Sequence, residues 1–248
     1  MSGSPTKASS SDVTPDGPSP AGPAVWVVVP AYNESRTIVE SLRDLQRQGF
    51  RRIVVVDDGS TDGSGALAAS AGARVVRHVL NRGLGGALGT GIRAAAELGA
   101  EVIVTFDADG QHAAEDVPRV VAPVLSGSAD LVIGIRTLGR EAMPWTRRAA
   151  NLAANMATRL IFGVWCSDSQ SGIRAMSRRV ATALDLQGQR MEVSSEILHK
   201  AARLGLRTQE VSVRAIYTTY SLSKGQGVLT GLRTLARLIL LRLSEKLS

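Results

Sequence analysis

Cysteine and aromatic residues are scarce in this sequence of 248 residues, and both absences narrow the classes of protein to which it can belong. Cys166 is the only cysteine, so no disulfide can form within the chain, and we expect a reducing, cytoplasmic setting. Phe, Trp and Tyr make up 4% of the residues, which leaves few rings on which the bases of single-stranded nucleic acid could stack. No nucleic-acid-binding motif is present, and we expect no nucleic acid partner.

Long apolar segments are also lacking. No stretch reaches the roughly 18 uncharged apolar residues of a membrane-spanning helix, so the chain is not expected to cross a membrane by itself. Residues 1–22 are rich in Ser, Pro and Gly and lack the apolar centre of a secretory signal. We predict that they form a disordered tail, because they cannot bury enough apolar surface to order themselves.

Basic charge and core-forming residues are abundant. Lys and Arg number 29 against 22 Asp and Glu, and the formal net charge is +7. This excess favours anionic partners such as phosphates, anionic lipids or nucleic acid, without selecting among them. The length and the 44% hydrophobic content suit one large domain with a sizeable core.

Short runs rich in valine and isoleucine alternate with helical patterns. The predicted strands are 25–29, 53–56, 74–78, 102–106 and 131–135, and the predicted helices are 35–48, 64–71 and a third that ends near 98. Because the strands are uniformly apolar and separated by helices, the pattern predicts an α/β fold with a mostly parallel sheet covered on both faces.

Acidic and amide side chains directly follow three of these predicted strands. The three clusters are Asn33-Glu34, Asp57-Asp58 and the pair Asp107 and Asp109. Groups at the carboxyl ends of parallel strands meet at one edge of the sheet, where carboxylates repel each other unless a cation lies between them. Asp107-Ala108-Asp109-Gly110 alone is equally compatible with a solvated turn. Convergence favours a site for a hard cation such as Mg²⁺ or Mn²⁺, which also accepts phosphate oxygens.

The glycine-rich segment Asn81–Gly91 leads into the third predicted helix. It matches neither the dinucleotide-binding fingerprint nor a P-loop. Two interpretations stay open: the helix start presents amides to a phosphate, with Arg82 adding positive charge, or the glycines allow close packing of helix on sheet.

Four motifs in order carry a resemblance to a known family. They are Val29-Pro30-Ala31-Tyr32-Asn33-Glu34, Val56-Asp57-Asp58-Gly59-Ser60, Asp107-Ala108-Asp109 and Asp168-Ser169-Gln170-Ser171-Gly172-Ile173-Arg174. The sequence resembles the inverting family-two glycosyltransferases, and within them the polyprenyl-phosphate (dolichyl-phosphate) mannose and glucose synthases. The resemblance covers about residues 24–227 and implies a glycosyltransferase A fold, with a Rossmann-like, mostly parallel sheet flanked by helices.

The resemblance also implies roles for matching residues on the donor side. Those expected to bind the nucleotide sugar, GDP-mannose or UDP-glucose, are Pro30, Tyr32, Glu34, Asp57, Asp58, Arg82 and Asp107. Asp57 and Asp58 would contact the base and ribose. Asp107 and Asp109 would hold Mg²⁺ or Mn²⁺ against the donor diphosphate, with Gln111 as a third ligand.

On the acceptor side, the resemblance implies binding of polyprenyl phosphate. The residues expected to bind its phosphate are Arg136, Arg147, Asn151 and Lys224. Gly134-Ile135-Arg136 stands where the family commonly has Gly-Ser-Arg, so the arginine is kept and a hydroxyl is lost.

Asp168 bears on the nature of the acceptor. A lipid phosphate is already an anion and needs little help from a base, whereas a hydroxyl acceptor needs a carboxylate within hydrogen-bond reach. Asp168 is the candidate base, with Arg174 as its ion-pair partner, or it is a structural cap or turn. Glu196 either faces the acceptor pocket or stabilises the first turn of its own helix. The expected catalytic residues are Asp107, Asp109, Arg136 and Asp168.

The carboxyl-terminal residues 228–248 are predicted to form an amphipathic helix that follows a catalytic domain spanning 23–227. Its apolar arc consists of Leu229, Leu232, Leu235, Ala236, Ile239, Leu240, Leu243 and Leu247, with Leu238 and Leu241 outside it. Basic residues at both edges of the arc suit a helix at a lipid interface. Packing into a core or an oligomer explains the same periodicity.

The sequence therefore predicts a metal-dependent, inverting transfer of mannose or glucose to polyprenyl phosphate at the cytoplasmic face of the membrane. Contact with the membrane would be peripheral, either direct or through a separate membrane protein. The alternatives are transfer to a hydroxyl acceptor, such as a cell-wall polysaccharide, a glycolipid or a small molecule, and a non-catalytic nucleotide-binding module.

Overall fold

Valine-rich segments form a single seven-stranded sheet in the computed structural model, which describes residues 23–138, 145–216, 234–240 and 242–243. The strands are β1 (Val25–Ala31), β2 (Ile53–Asp57), β3 (Arg74–Arg77), β4 (Val102–Thr105), β5 (Leu131–Leu138), β6 (Arg174–Ser177) and β7 (Thr208–Arg214). Their order across the sheet is β3-β2-β1-β4-β6-β5-β7. The predicted α/β fold with a mostly parallel sheet is confirmed.

Strand β6 is the one reversed strand among the seven, since it pairs antiparallel with both β4 and β5 while the other neighbours pair parallel. The sequence did not predict β6, because Arg174-Ala175-Met176-Ser177 is short and begins with a charged residue. It did not predict β7 either, whose polar Thr208-Gln209-Glu210 start suits an edge. Because β6 is reversed, the loop that precedes it reaches the edge at which the parallel strands end.

Helices cover both faces of the sheet. They are α1 (Ile38–Arg47), α2 (Ser64–Ser70), α3 (Gly83–Glu97), α4 (Val117–Leu125), α5 (Trp145–Phe162), α6 (Arg178–Ala183) and α7 (Val193–Arg203). Alternate residues of β1 enter opposite cores: Val27 and Val29 join the core under α1, α2 and α4, whereas Trp26 and Val28 join that under α3, α6 and α7.

Helix α1 begins at Ile38 rather than at the predicted Ser35. The carbonyl oxygen of Glu34 accepts hydrogen bonds from the amides of Thr37 and Ile38, so the intervening residues form a turn. This turn keeps Asn33 and Glu34 at the sheet edge, before the helix leads the chain away.

Residues 234–240 are helical, and the rest of the predicted carboxyl-terminal helix lies largely outside the described residues. Leu238, predicted to lie outside the apolar arc, is the buried leucine of this segment. Leu235, Ile239 and Leu240, which belong to the predicted arc, are exposed. Within the described ranges, no helix combines the length and apolar character needed to cross a bilayer.

Asp130 joins the start of β5 to the start of β7. Its carboxylate accepts hydrogen bonds from the backbone amide and the guanidinium of Arg207, at 3.0–3.1 Å, and from Nη2 of Arg179 at 3.2 Å. The hydrogen bonds from Arg207 lower the pKa of Asp130 to about 2. The ionised carboxylate therefore stabilises the folded state over the physiological pH range.

We expect Asp130→Asn to lower the free energy of unfolding by about 1 kcal/mol, which for this length corresponds to about 2–4 °C in Tm. Because the folded pKa is depressed, the difference should be constant from pH 7 to about pH 4 and shrink as the pH falls toward 2. Urea unfolding across this range measures it. Glu97→Gln, at an exposed position of α3, is the control; an equal loss in both variants would contradict the assignment.

Candidate active site

Three adjacent strands bring the predicted acidic clusters to one edge of the sheet. Strand β1 lies between β2 and β4, and Ala31 at the end of β1 is paired with Asp57 at the end of β2. The amide of Asp58 donates to the carbonyl oxygen of Ala31 at 2.8 Å, and the amide of Phe106 donates to that of Val28 at 2.9 Å. The loops after all three strands therefore start side by side.

Asp107 and Asp109 lie in the turn after β4 and influence each other's ionisation. Burial opposes ionisation of Asp107, but the hydrogen bond and charge of His112, with the charges of Arg174 and Arg136, hold its pKa below the usual range. The hydrogen bond joins His112 Nε2 to Asp107 Oδ2 at 3.3 Å. Burial and the charge of Asp107 raise the pKa of Asp109. The pair thus holds uncompensated negative charge that a cation would relieve.

The donor groups at this turn fit a hard divalent cation. They are carboxylate oxygens, and the Gln111 side chain is held beside them: its amide donates to Asp109 Oδ2, and its backbone amide donates to Asp109 Oδ1 at 3.0 Å. Within the described part of the chain, no three His, Cys, Asp or Glu side chains form a ligand cluster. Two carboxylates without a closed protein cage suit Mg²⁺ or Mn²⁺, which binds one or two carboxylates together with substrate phosphates.

Asp57 and Asp58 are buried and organise the loops around them. Asp57 Oδ1 accepts a hydrogen bond from the amide of Ser60 at 2.9 Å. Asp58 accepts from the amides of Arg82 and Gly83, at 2.9 and 2.7 Å, and lies 2.7 Å from Nδ1 of His78. These hydrogen bonds show that the two carboxylates fix the shape of the loops that follow β2 and β3.

Glycines of the segment Asn81–Gly91 allow close packing of α3 on the sheet, since a Cβ at Gly91 would collide with Val28 and Val56. The amides of Gly85 and Gly86 donate to the carbonyl oxygen of Gln189, at 2.8 and 3.2 Å. A Cβ at Gly85 would collide with the carbonyl of Gly188. These amides are therefore occupied by the protein, while the Arg82 side chain stays exposed beside the site.

The loop after β1 is joined to the loop after β2. The amide of Asn33 donates to Ser60 Oγ at 3.0 Å, and that of Glu34 donates to Ser64 Oγ at 2.8 Å. Asn33 has φ +54°, a left-handed conformation that asparagine tolerates better than most residues. The Glu34 side chain is buried, whereas Tyr32 is exposed at the sheet edge. The loops after β1 and β2, which carry several of the predicted nucleotide-binding residues, are thus joined by hydrogen bonds.

Arg136 and Asp168 form a two-pronged ion pair at the end of β5. Arg136 Nε and Nη2 donate to Asp168 Oδ2 and Oδ1 at 2.7 and 2.8 Å, and the Arg136 backbone amide donates to Oδ2 at 3.1 Å. The prediction that Arg174 is the ion-pair partner of Asp168 is wrong, because Arg136 takes that place. Burial opposes ionisation of Asp168, but the hydrogen bonds and charge of Arg136 outweigh it and lower its pKa.

Arg174 instead lies fully buried at the start of β6. Its Nη2 donates to the carbonyl oxygen of Ser169 at 3.0 Å, and its Nε has no hydrogen-bond partner among the described residues. Burial lowers the pKa of Arg174, although the negative charges of Asp107 and Asp168 act to raise it. It therefore supplies positive charge behind both carboxylates without reaching the surface.

Among the residues that it describes, the structure gives no contact between the remaining predicted residues and this cluster. Asn151 is half-buried on α5, whereas the side chain of Arg147 and all of Lys224 lie outside the described residues. Glu196 is fully buried and structural, because it accepts the amides of Gln187 and Gly188 at 2.7 Å each.

Sequence reasoning gave no role to His78, whose Nδ1 and Nε2 lie 2.7 Å from Asp58 and 3.0 Å from Thr90 Oγ1. His112, whose Nε2 lies 3.3 Å from Asp107 Oδ2, was not among the predicted site residues either. Their positions in the sequence could have pointed to the site. His112 closes the acidic segment that follows β4, and His78 follows β3 at the same edge of the sheet.

Gly172 lies against the Asp107 carboxylate, and a Cβ there would overlap all three carboxylate atoms. We expect Gly172→Ala to displace this carboxylate and weaken Mn²⁺ binding at least about tenfold, as loss of a supporting contact at a metal site does. Electron paramagnetic resonance titration with Mn²⁺ measures this without substrate. Gly89→Ala is the control, since a Cβ there meets open space. Unchanged Mn²⁺ affinity in the folded Gly172 variant would show that Asp107 is not a ligand.

The comparisons with known proteins agree with this geometry. Residues 26–184 match the family described as Glycosyl transferase family 2. The chain is similar to the UDP-N-acetylglucosamine–dolichyl-phosphate N-acetylglucosaminyltransferase of Methanococcus voltae, with 34% identity covering 90% of this chain and 98% of that one. It is also similar to the undecaprenyl-phosphate mannosyltransferase of Micrococcus luteus, with 34% identity covering 84% and 89%.

Among solved structures, the chain is similar to glucosyl-3-phosphoglycerate synthase from Mycobacterium tuberculosis in complex with Mn²⁺, UDP-glucose and phosphoglyceric acid. The TM-score is 0.67 and the identity 27%, covering 90% of this chain and 80% of that one. The family match spans more than half of the sequence and includes the carboxylate pair after β4. The chain therefore belongs to glycosyltransferase family 2 and is a glycosyltransferase with the glycosyltransferase A fold.

Proposed function

We propose that this enzyme transfers a sugar from a nucleotide-diphosphate sugar to polyprenyl phosphate, with inversion, at the cytoplasmic face of the membrane. Two relatives of similar length are named for transfer to dolichyl or undecaprenyl phosphate, one of N-acetylglucosamine and one of mannose. The observation that carries the lipid acceptor is the orientation of α5, which buries polar side chains and exposes apolar ones.

Helix α5 buries two polar side chains and exposes several apolar ones. Asn155 and Thr158 are 5% and 0% exposed, whereas Leu152 and Leu160 are 57% and 79% exposed. A water-soluble surface would favour the opposite arrangement. The segment 234–240 also exposes apolar side chains, including that of Leu240. Such surfaces mark contacts with a membrane or another protein, and the tail of a polyprenyl acceptor requires a lipid contact.

The ion pair of Asp168 favours an acceptor that is already an anion. A hydroxyl acceptor needs a base, and bases of general acid–base catalysis work best with a pKa near the operating pH. The pKa of Asp168 is instead lowered by the hydrogen bonds of Arg136, which outweigh its burial. Asp168 is therefore a weak base, and its geometry suits holding the Arg136 guanidinium toward an anion.

The chemistry divides between the two sides of the site. On the donor side, the surface formed by Pro30, Tyr32, Glu34, Asp57, Asp58 and Arg82 binds the nucleotide. A divalent cation held by Asp107, Asp109 and Gln111 would neutralise charge on the leaving diphosphate. On the acceptor side, Arg136, Arg147, Asn151 and Lys224 hold the acceptor phosphate and offset its repulsion from the donor.

One loop connects the two sides. Asp168 at its start holds Arg136, and Gly172 near its end packs against Asp107. The amide and carboxylate contacts at both ends fix the distance between the acceptor-binding arginine and the metal-binding carboxylate. We infer that this loop keeps the two phosphate-bearing substrates in a reactive arrangement.

The function is tested by incubating the enzyme and Mn²⁺ or Mg²⁺ with labelled UDP-N-acetylglucosamine, UDP-glucose or GDP-mannose. Polyprenyl phosphate in vesicles, phosphoglycerate and glycosides with free hydroxyls serve as acceptors. We expect label in an organic-extractable lipid product from one of these donors. Label only in a water-soluble product would overturn the lipid acceptor, and the donor that is consumed identifies the base and sugar.

We expect Asp168→Asn to raise the KM for polyprenyl phosphate while the turnover rate stays within about tenfold of the wild type. The amide retains part of the contact with Arg136 but loses the charge that holds it. Steady-state kinetics from pH 6 to 9 measure both constants. If turnover instead falls by about 100-fold or more and the acidic limb of the pH profile is lost, Asp168 is a base.

Vesicle sedimentation tests the exposed apolar surface. We expect Leu160→Glu and Leu240→Glu to reduce binding to anionic phospholipid vesicles several-fold, because each places a charge on the side that meets lipid. Leu125→Glu, at a leucine that is 45% exposed at the end of α4, should bind as the wild type does. Equal binding by all variants would exclude these residues from the membrane contact.

A further inference from the structure

Asn155 is a buried amide on the inner side of α5, and it has no part in the expected donor or acceptor contacts. Its side chain is 5% exposed, and both ends of its amide are paired. Nδ2 donates to the carbonyl oxygen of Ser167 at 2.8 Å, and Oδ1 accepts from the amide of Ser169 at 2.9 Å. The two bonds flank Asp168 on either side in the chain.

These contacts match the chemistry of asparagine closely. A primary amide offers a donor and an acceptor in one plane, and here they meet a backbone carbonyl and a backbone amide two residues apart. Aspartate has the same shape but lacks the donor, and leucine has neither group. No other uncharged side chain of this length can satisfy both backbone groups, and buried backbone groups without partners are costly.

The loop that Asn155 contacts is also bound by side chains of β6 and β7. The amide of Ser167 donates to Glu210 Oε1 at 2.8 Å, and the carbonyl oxygen of Ser169 accepts from Arg174 Nη2 at 3.0 Å. Asn155 joins both sides of Asp168 to α5 by direct hydrogen bonds. The position of Asp168 relative to α5 therefore depends on this side chain.

We propose that Asn155 is a positioning residue for the acceptor: it fixes the backbone on both sides of Asp168 and thereby holds the Arg136 guanidinium where the acceptor phosphate binds. This rests on the proposed function insofar as Arg136 binds that phosphate. The chain of contacts runs from Asn155 through the 167–169 backbone to Asp168, and from its carboxylate to Arg136 by two hydrogen bonds.

Thr158 provides a matched control on the same helix. It is fully buried, and its Oγ1 lies 2.8 Å from Ser195 Oγ on α7 rather than against the 167–169 loop. Thr158→Val therefore removes a buried hydrogen bond that anchors α5 but leaves the contact with the loop intact. Any effect that stems only from weaker packing of α5 should appear in both variants.

The kinetic test compares Asn155→Asp, Asn155→Leu and Thr158→Val in the full-length chain. We expect the KM for polyprenyl phosphate to rise about 10- to 100-fold in the Asn155 variants, because a small displacement of a positioning group has an effect of about this size. The KM for the nucleotide sugar and the affinity for Mn²⁺ should stay within about twofold. An acceptor KM that rises no more than in Thr158→Val, or an equal rise in donor KM, would overturn the proposal.

A second measurement does not require transfer activity or survival of the leucine variant. The side-chain Nε–H of Arg136 gives a nuclear magnetic resonance signal whose shift and exchange rate report its hydrogen bond to Asp168. We expect Asn155→Asp to move this signal and speed its exchange, and Thr158→Val to leave it unchanged. An unmoved signal in Asn155→Asp overturns the positioning role. If the wild type fails to use polyprenyl phosphate but the signal moves as expected, only the proposed acceptor is wrong.

Discussion

The concentration of carboxylates at one edge of the sheet is the constraint on which the rest of the site depends. Asp107, Asp109 and Asp168 lie within a partly dry region, where two like charges about 4 Å apart repel by about 4 kcal/mol at an effective dielectric constant of about 20. Arg136 and Arg174 offset part of this charge, one from the surface and one from the interior. Burial and the charge of Asp107 raise the pKa of Asp109, so the two arginines do not fully offset the charge at that carboxylate.

This constraint explains why a fully buried guanidinium is retained. Burying Arg174 costs free energy, and a single hydrophobic residue would pack without that cost. Its charge, however, helps the hydrogen bond and charge of His112 to lower the pKa of Asp107, and it acts from the interior of the protein. His112 adds a second inward contact to Asp107. The charge needed for function is thus balanced mainly by groups that substrates do not displace.

The grouping of carboxylates at the sheet edge could be predicted from the sequence, whereas the contacts of Arg136 and Asp168 could be predicted only in part. Asp57 and Asp107 follow apolar strands directly, so parallel pairing alone brings them together. Residues of the acceptor side meet through contacts that sequence spacing does not reveal: Arg136 pairs with Asp168, 32 positions away, across the reversed strand β6. Periodicity found the apolar arc of the last helix, but Leu238 shows that it could not say which side faces inward.

The reversal of β6 separates the two halves of the site along the chain. Everything proposed to touch the nucleotide comes from the loops after β1, β2, β3 and β4, whereas the arginine–aspartate pair comes from β5 and the loop before β6. Because β6 enters the edge from the opposite direction, the start of that loop is held by Asn155 of α5, and its end lies against Asp107 at Gly172. One reversed strand of four residues therefore places a single loop in contact with both groups of residues, although these lie far apart in the sequence.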